Sequence, residues 1–312
     1  MTAVDWTKRG AIYCPSGAST LEATHAMVPT PLLLPGGTVI RVFYTALDAD
    51  GVGRPFYVDV DASDPTRVIG RSTAPLMDIG RPGTFDDNGA VITSVVHAAD
   101  GVLYAYYVGF ELGRRIRYRL LTGLARSVDG GATFERLRET PILERSDAEL
   151  YFRCGPFVLN ENGRFRMWYI AGSRWTELQG KSMPEYRVMY LESGNGLDWA
   201  DRGRLVLDIT DADEHGFGRP YTLRKPDGGY AHFYSIRRRS LMAYRMGYAE
   251  SGDGVTWVRD DARINLEPGP GSEDDTAIMY AAPIVVGSKL LCFYNGNDFG
   301  KTGILLAERN LD

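Results

Sequence analysis

The chain is a succession of short apolar segments separated by turn residues, and no stretch carries a sustained helical hydrophobic period. Many of these segments are rich in β-branched and aromatic residues and end at Gly, Pro, Asn or Asp, as strands do. The pattern therefore predicts an all-β protein, and the spacing of the segments indicates which kind.

Adjacent aromatic residues mark one segment that returns five times along the 312 residues. The second members of these pairs are separated by 63, 62, 65 and 60 residues. The pairs are Phe43-Tyr44, Tyr106-Tyr107, Trp168-Tyr169, Phe233-Tyr234 and Phe293-Tyr294. Steps of such similar length indicate five copies of one supersecondary unit.

An apolar strand precedes each aromatic pair, and the five are VPTPLLLP (28–35), GAVITSVV (89–96), CGPFVLN (154–160), GRPYTLR (218–224) and AAPIVVG (281–287). Four of them contain a proline that we expect to occupy one shared position, and these are Pro31, Pro156, Pro220 and Pro283. A further segment follows each pair: RPFYVDV (54–60), TGLARSVDGGATF (122–134), RVMYLESGNGLDW (187–199), YRMGYAESGDGVTW (244–257) and TGILLAERN (302–310). Its middle three copies carry a Ser, an Asp-Gly or Asn-Gly turn, and then Phe134, Trp199 or Trp257, which we expect to pack between repeats.

Each repeat thus predicts four antiparallel strands, and the whole chain predicts a five-bladed β-propeller of four-stranded antiparallel blades in one domain, 1–312. The expected blades span approximately 25–86, 87–150, 151–213, 214–275 and 276–312. The last repeat ends after its third strand, so an N-terminal strand within 5–20 is expected to complete it. A β-sandwich is the alternative, but it does not explain the repeat length.

Composition and charge limit the kinds of partner that the protein is expected to bind. The net charge of −5 disfavours nucleic acid, which calls for a basic face. Cys14, Cys154 and Cys292 are odd in number and widely spaced, so neither a disulfide framework nor a zinc site is expected. We therefore expect the protein to lie in a reducing cytoplasm. The N-terminus lacks a signal-peptide pattern, and no apolar run could span a membrane. The oligomeric state stays open.

Polar residues stand directly before each of the five apolar strands, where a propeller gathers its loops at one mouth of the central funnel. They are His25; Asp86, Asp87 and Asn88; Glu149, Arg153 and Cys154; Asp213, Glu214, His215 and Arg219; and Glu273, Asp274, Asp275 and Tyr280. Asn295, Asn297 and Lys301 follow the last aromatic pair. If these residues converge, they form a polar, acid-rich site for a small molecule. In the alternative interpretation each acid caps a turn or holds an arginine.

At these loops the chain resembles the five-bladed propeller glycosidases of glycoside hydrolase families 32, 43, 62, 68 and 130. It is most similar to uncharacterised family-43-like proteins of bacterial polysaccharide and natural-product gene clusters. The resemblance covers nearly the whole chain, and its motifs are FDDNG (85–89), RMWYIAG (166–172), GRPYTLR (218–224), YAESGDGVTW (248–257) and FYNGNDFGKTG (293–303).

The resemblance implies a set of three catalytic acids, of which two have counterparts here. Glu214 matches the general acid, and Asp87 matches an Asp from the second blade. His25 stands where the first blade would carry an acid, and Cys154 follows Arg153 where the family has Asp. Some family-43 enzymes hold calcium on the axis, so a divalent ion such as Ca²⁺ is possible there; no other cofactor is expected.

Three functions remain open at this point. The first is a glycoside hydrolase-like enzyme acting on a small glycoside or sugar conjugate, with Glu214 as acid and Asp87 or His25 as base. The second is a repurposed biosynthetic enzyme, such as a cyclase, group transferase or rearrangement catalyst, in which His25 or His215 moves protons. The third is a non-catalytic sugar-binding propeller.

Overall fold

The structure, a computed structural model, describes residues 6–99 and 101–311. In this part of the chain β1 (Thr7–Tyr13) precedes five repeated units, called blades below. The first blade consists of β2 (Thr24–Leu33), β3 (Val39–Leu47), β4 (Gly53–Asp61) and β5 (Val68–Arg71). The second consists of β6 (Ala90–Ala99), β7 (Val102–Leu112), β8 (Tyr118–Ser127) and β9 (Glu135–Arg136).

The remaining blades repeat this order. The third consists of β10 (Phe152–Glu161), β11 (Arg164–Leu178), β12 (Lys181–Ser193) and β13 (Arg204–Leu207). The fourth consists of β14 (Glu214–Arg224), β15 (Tyr230–Arg238), β16 (Ala243–Ser251) and β17 (Val258–Arg259). The fifth contains β18 (Met279–Val286), β19 (Lys289–Asn295) and β20 (Ile304–Asn310). Two short 3-10 helices lie at Asp261–Ile264 and Asn297–Phe299.

The blades form a closed cycle. Within each blade neighbouring strands pair antiparallel, and the first strands β2, β6, β10, β14 and β18 pack against one another in that order, with β18 returning to β2. A short parallel pairing of β8 with β10 joins the second and third sheets. The prediction of an all-β fold built from four-stranded antiparallel sheets is confirmed.

The fifth blade takes its outer strand from the other end of the chain. β1 pairs antiparallel with β20, from Thr7 opposite Glu308 to Tyr13 opposite Ile304. The indole Nε1 of Trp6 donates a hydrogen bond of 2.6 Å to the Ile264 carbonyl. Both ends of the described residues therefore contribute to one sheet, and the ring closes through backbone hydrogen bonds.

In the first three blades, the first residue of the aromatic pair lies against a turn of the next blade. Tyr106 donates a hydrogen bond of 2.8 Å from its hydroxyl to the Gly196 carbonyl, and Trp168 Nε1 donates one of 2.8 Å to the Gly254 carbonyl. The three turn aromatics pack on the same side chains, Phe134 on Phe43, Trp199 on Tyr106 and Trp257 on Trp168. Each turn thus locks one blade onto the preceding one.

The four prolines of the apolar strands occupy two positions rather than one. Pro156 and Pro220 lie inside breaks of the strand register, whereas Pro31 and Pro283 are paired with residues of the neighbouring strand. Proline removes a backbone donor, so it is tolerated in a bulge and in the edge strands β2 and β18, which pair on one side only. Among the described residues, no helix is long and apolar enough to cross a membrane.

Candidate functional site

A cavity of about 420 Å³ lies at the mouth of the funnel, enclosed by the first strands and by the ends of the second and third strands. Aromatic and aliphatic side chains form most of its wall. The polar side chains that line it are His25, Asn88, Thr93, Arg117, Tyr118, Cys154, Tyr186, Arg219, Arg237, Tyr244 and Tyr280. No Asp or Glu occurs among the described residues of this lining, so the expectation of an acid-rich funnel is wrong.

A bulge in every first strand aims one backbone position into this cavity. The strand register breaks in β2, β6, β10, β14 and β18, and the bulged segments carry Val28, Thr93, Gly155, Arg219 and Tyr280, all of which line the cavity. Val28 and Tyr280 adopt left-handed φ values of 56° and 60°. Such conformations are strained for side chains with a Cβ, and the bulges use them to re-aim residues at a site.

Arg219 forms the floor of the cavity. Its Nη1 donates to the Pro29 carbonyl at 2.7 Å, and its Nη2 donates to the Thr93 carbonyl and to Thr30 Oγ1, both at 2.9 Å. These bonds run from the fourth blade to the first and second, so the guanidinium crosses the channel. Burial lowers the pKa of Arg219 to about 10, which leaves it charged at neutral pH.

His25 lines the mouth of the cavity, and its Nδ1 lies 2.9 Å from Thr24 Oγ1. Burial and the nearby positive charge of Lys301 lower the pKa of His25, while Asp298 opposes this shift. The imidazole is therefore neutral at pH 7 and able to accept a proton.

His215 lies beside the main cavity rather than in it. It lines an adjoining cavity of about 140 Å³, which shares Arg237 and Tyr244 with the main one. Its Nδ1 is 3.4 Å from the Pro184 carbonyl. Burial and the charge of Arg237 lower the pKa of His215 to about 4.

Acids that precede the first strands are bound within the blades instead of converging, and in the fourth blade Asp261, which follows the outer strand, takes the equivalent place. In each blade a tyrosine hydroxyl from the second strand donates to a carboxylate, in the pairs Tyr44–Glu22, Tyr107–Asp86, Tyr169–Glu149, Tyr234–Asp261 and Tyr294–Asp274. A cation from the outermost strand completes four of these clusters, in the pairs Arg71–Glu22, Arg136–Asp86, Arg259–Asp261 and Lys8–Asp274. In the third blade Arg153 of the first strand pairs with Glu149. These five clusters, the acid–tyrosine clusters, tie a loop to two strands.

Glu214 belongs to the cluster of the fourth blade. Its side chain is about as buried as a core residue, and Arg259 Nη2 lies 2.7 Å from its Oε1. Arg259 Nη1 lies 3.1 Å from Oε2 as well, so the guanidinium holds both oxygens. This carboxylate does not line the cavity, and both of its oxygens face Arg259.

Other residues expected at the site support the loops around it. Asp87 accepts a hydrogen bond from the Gly83 amide at 2.8 Å and another from Asn88. Asn295 accepts from the Val28 amide at 2.7 Å and donates to the Ala26 carbonyl at 2.8 Å, which holds the bulge of β2.

The structure thus divides the expected residues into two groups. It brings together His25, Asn88, Cys154, Arg219 and Tyr280. It places outside the cavity Asp86, Asp87, Arg153, Glu214, Glu273, Asp274, Asn295, Asn297 and Lys301. Asn297 accepts from the Thr276 and Ala277 amides, and the side chains of Glu273 and Lys301 are exposed.

Several cavity residues escaped sequence reasoning, among them Arg117, Tyr118, Tyr186, Arg237 and Tyr244. Arg117, Tyr118, Arg237 and Tyr244 flank loops between second and third strands, which open on the same mouth as the loops before the first strands, whereas Tyr186 lies within β12. The arginines of GRRIR (113–117) and of the run at 237–239 were a signal that these loops are basic.

An axial divalent ion does not fit these residues. Arg219 places a positive charge across the channel and takes two of the carbonyl oxygens there for itself. Within 6–99 and 101–311 there is no group of three His, Cys, Asp or Glu side chains that could hold a metal ion. A cation at this position would meet a guanidinium where it requires oxygen ligands.

The sequence and the fold of this chain are similar to those of several known proteins. No protein-family model matches the chain. It is 29% identical over 302 residues to an uncharacterized protein, Rv1502, of Mycobacterium tuberculosis (strain ATCC 25618 / H37Rv), a similarity that covers 97% of this chain and 98% of that protein.

Solved structures are similar over nearly the whole chain. A BT0996 RGII complex has a TM-score of 0.75 at 20% identity, and the match covers 98% of this protein and 92% of that one. A glycoside hydrolase has a TM-score of 0.72 at 19% identity, with 99% and 94% covered. A thermostable family-43 glycoside hydrolase has a TM-score of 0.64 at 14% identity, with 91% and 88% covered. The chain therefore has the propeller fold of the family-43-like glycoside hydrolases.

Proposed function

We propose that this protein is an enzyme that acts on a small sugar-containing molecule in its funnel, with His25 transferring protons in place of a carboxylate pair. The observation that carries the proposal is the composition of the cavity wall: one imidazole, four tyrosines and three arginines, with no Asp or Glu among its described residues. Of the three functions considered above, the repurposed acid–base catalyst agrees best with this wall.

The size and surface of the cavity support a small polar ligand with apolar faces. A volume of about 420 Å³ lies in the range of small-molecule sites. Tyrosine rings present flat apolar surface beside a hydroxyl, which suits the alternating C–H and O–H groups of a sugar ring. Burial raises the pKa values of Tyr186 and Tyr280, so their hydroxyls remain protonated donors. The glycoside hydrolases among the structural neighbours support a sugar-containing substrate.

The placement of the carboxylates argues against ordinary glycoside hydrolysis. That reaction uses two carboxyl groups that flank the scissile bond, roughly 5–10 Å apart. Glu214 is held by Arg259, and Asp87 accepts hydrogen bonds from its own loop. Neither lines the cavity, whereas His25 does and is neutral at pH 7.

A screen followed by one substitution tests the proposal. The wild-type protein is incubated with p-nitrophenyl glycosides, nucleotide sugars and sugar phosphates, and turnover is followed by chromatography. For a substrate found in this way, His25→Gln is expected to lower kcat by about 10²–10⁴-fold with little change in KM, since the substitution removes the proton acceptor. His97→Gln, at an exposed imidazole outside the cavity, is the matched control and should leave kcat unchanged.

The pH profile provides a second readout. The active form carries a neutral His25, and its pKa lies below the usual 6.5, so kcat/KM should fall only as the pH drops below about 6.5. A His25→Gln variant with wild-type kcat would contradict the proposal. Saturable sugar binding without conversion of any compound in the screen would instead favour a non-catalytic sugar-binding propeller.

A further inference from the structure

Arg237, at the end of β15, has a terminal guanidinium nitrogen buried in the cavity wall without an acceptor. Its Nε donates to the Tyr244 hydroxyl, and its guanidinium carbon lies 4.7 Å from the ring centre of Tyr186 and 5.1 Å from that of Tyr244. Its Nη1 is buried and forms no hydrogen bond with any residue of 6–99 or 101–311. A guanidinium has five donors in a fixed plane, so this donor points to an acceptor that the protein itself does not supply.

Arg219 and Arg153 are more deeply buried than Arg237 and use their Nη donors differently, although the Nε of Arg219 is also buried without a hydrogen bond. Arg219 gives both of its Nη groups to backbone carbonyls and a hydroxyl. Arg153 pairs with Glu149 and donates to the Glu144 carbonyl at 2.7 Å. A buried hydrogen-bond donor without an acceptor lowers stability. Nη1 of Arg237 is such a donor, so it costs the folded protein free energy in the absence of a ligand, as groups reserved for binding often do.

The surroundings of Arg237 are also positive. Arg117 lines the same cavity and forms no ion pair with any described residue, and Arg219 forms the floor. Asp298 is a carboxylate that lines the adjoining cavity together with Arg237, but it forms no ion pair with it. A cavity lined by several cations and no anion concentrates negatively charged ligands.

We propose that the ligand of the funnel carries an oxyanion, a carboxylate or a phosphate ester, that accepts hydrogen bonds from Arg237, with Arg117 adding charge at the mouth. The inference rests on the proposed function, because it takes the funnel as the place where a sugar-containing molecule binds. Both oxyanions match the planar donor pattern of a guanidinium. The substrate class is therefore an acidic sugar, a uronic acid or a sugar phosphate, rather than a neutral glycoside.

Matched probes separate the contribution of the charge to binding from that of the sugar ring. Binding is measured by isothermal titration calorimetry at low salt with glucose, galactose and mannose, the corresponding uronic acids, the corresponding 6-phosphates, and inorganic phosphate and acetate. At least one anionic probe should bind about tenfold or more tightly than its neutral counterpart. Arg237→Gln should abolish that difference, whereas Arg238→Gln, with the same charge change on the opposite face of β15, should keep it.

Stability measurements show whether Arg237 has only a structural role. Arg237→Gln is expected to melt close to the wild-type protein without ligand, because the lost hydrogen bond to Tyr244 is offset by the removal of a buried donor that has no acceptor. A large drop in melting temperature would overturn the assignment, and Arg237→Lys, which keeps the charge, then shows whether charge or shape matters.

Neutral and acidic sugars that bind equally well would overturn the inference and leave the proposed function standing. Binding of phosphate or acetate alone, with every sugar excluded, would support the anion site and contradict the proposed function. Failure of every anionic probe to bind would overturn the inference outright.

Discussion

Two buried histidines link single residues to the stability of the whole protein. His232 is fully buried, its Nδ1 lies 2.8 Å from Thr222 Oγ1, and its ring centre lies 4.7 Å from that of Trp257. Burial lowers its pKa to about 3, and that of His215 falls to about 4. Both therefore remain neutral in the folded protein over the pH range in which the histidines of the unfolded protein become protonated.

The free energy of unfolding is therefore expected to decrease as the pH falls from about 6.5 toward 4. In this window the unfolded protein takes up a proton at each histidine and the folded protein does not, so each contributes a slope of about 1.4 kcal/mol per pH unit. Urea unfolding at a series of pH values measures the slope. His232→Gln should reduce it by about one proton, and the exposed His97→Gln should not. An unchanged slope in His232→Gln would show that this imidazole is charged or accessible in the folded state.

At the scale of elements, the tight turn of each blade fits the blade before it. Gly196 has a φ of 73°, and a Cβ at this position would lie 2.7 Å from the Tyr106 hydroxyl and 2.8 Å from the Phe165 ring. Gly180, in the hairpin between β11 and β12, has a similar φ of 74° but open space around it. The two glycines share one backbone conformation and differ in their neighbours.

Replacing each glycine by alanine separates strain from packing. Gly180→Ala should lower the free energy of unfolding by about 1 kcal/mol, the cost of a left-handed alanine. Gly196→Ala should cost about 1–3 kcal/mol more, because the added methyl displaces Tyr106 and Phe165 from a close-packed interface. Chemical unfolding of both variants measures the difference. Equal losses would mean that the turns do not lock neighbouring blades together.

The repeating elements were predictable from the sequence because packing imposes them at regular intervals. Paired aromatic residues fill the space between strands in every blade, and the turn glycines need one conformation each time. The residues at which the first strands begin were harder to predict from the sequence. β14 begins at Glu214 rather than after it, and β2 already includes His25, since bulges extend these strands through left-handed residues that no local pattern reveals.

The role of the acids could not be decided from the sequence. An acid before a first strand has the same spacing whether it faces the funnel or a tyrosine of its own blade, and the outer-strand cation that decides this, such as Arg136 for Asp86, lies 50 residues away. The cavity arginines and tyrosines were missed for another reason. They occur once each and follow no repeat.

At the scale of the whole molecule, structure and function use different parts of the ring. The acid–tyrosine clusters hold each blade together away from the axis, and β1 closes the circle by pairing with β20. Arg219 crosses the central channel, which opens into a cavity lined by histidine, arginine and tyrosine. We therefore propose that the carboxylates maintain the propeller and that the cavity carries the chemistry.

Glu214→Gln tests that claim most directly, because Glu214 is also the residue that family resemblance marks as a general acid. The measurement pairs the free energy of unfolding with kcat/KM for the same substrate, at a temperature where the variant is fully folded. We expect a loss of about 1–3 kcal/mol of stability, from weakening the buried pair with Arg259, and kcat/KM within about threefold of wild type. Wild-type stability combined with abolished turnover and intact substrate binding would contradict the account and restore Glu214 as the catalytic acid.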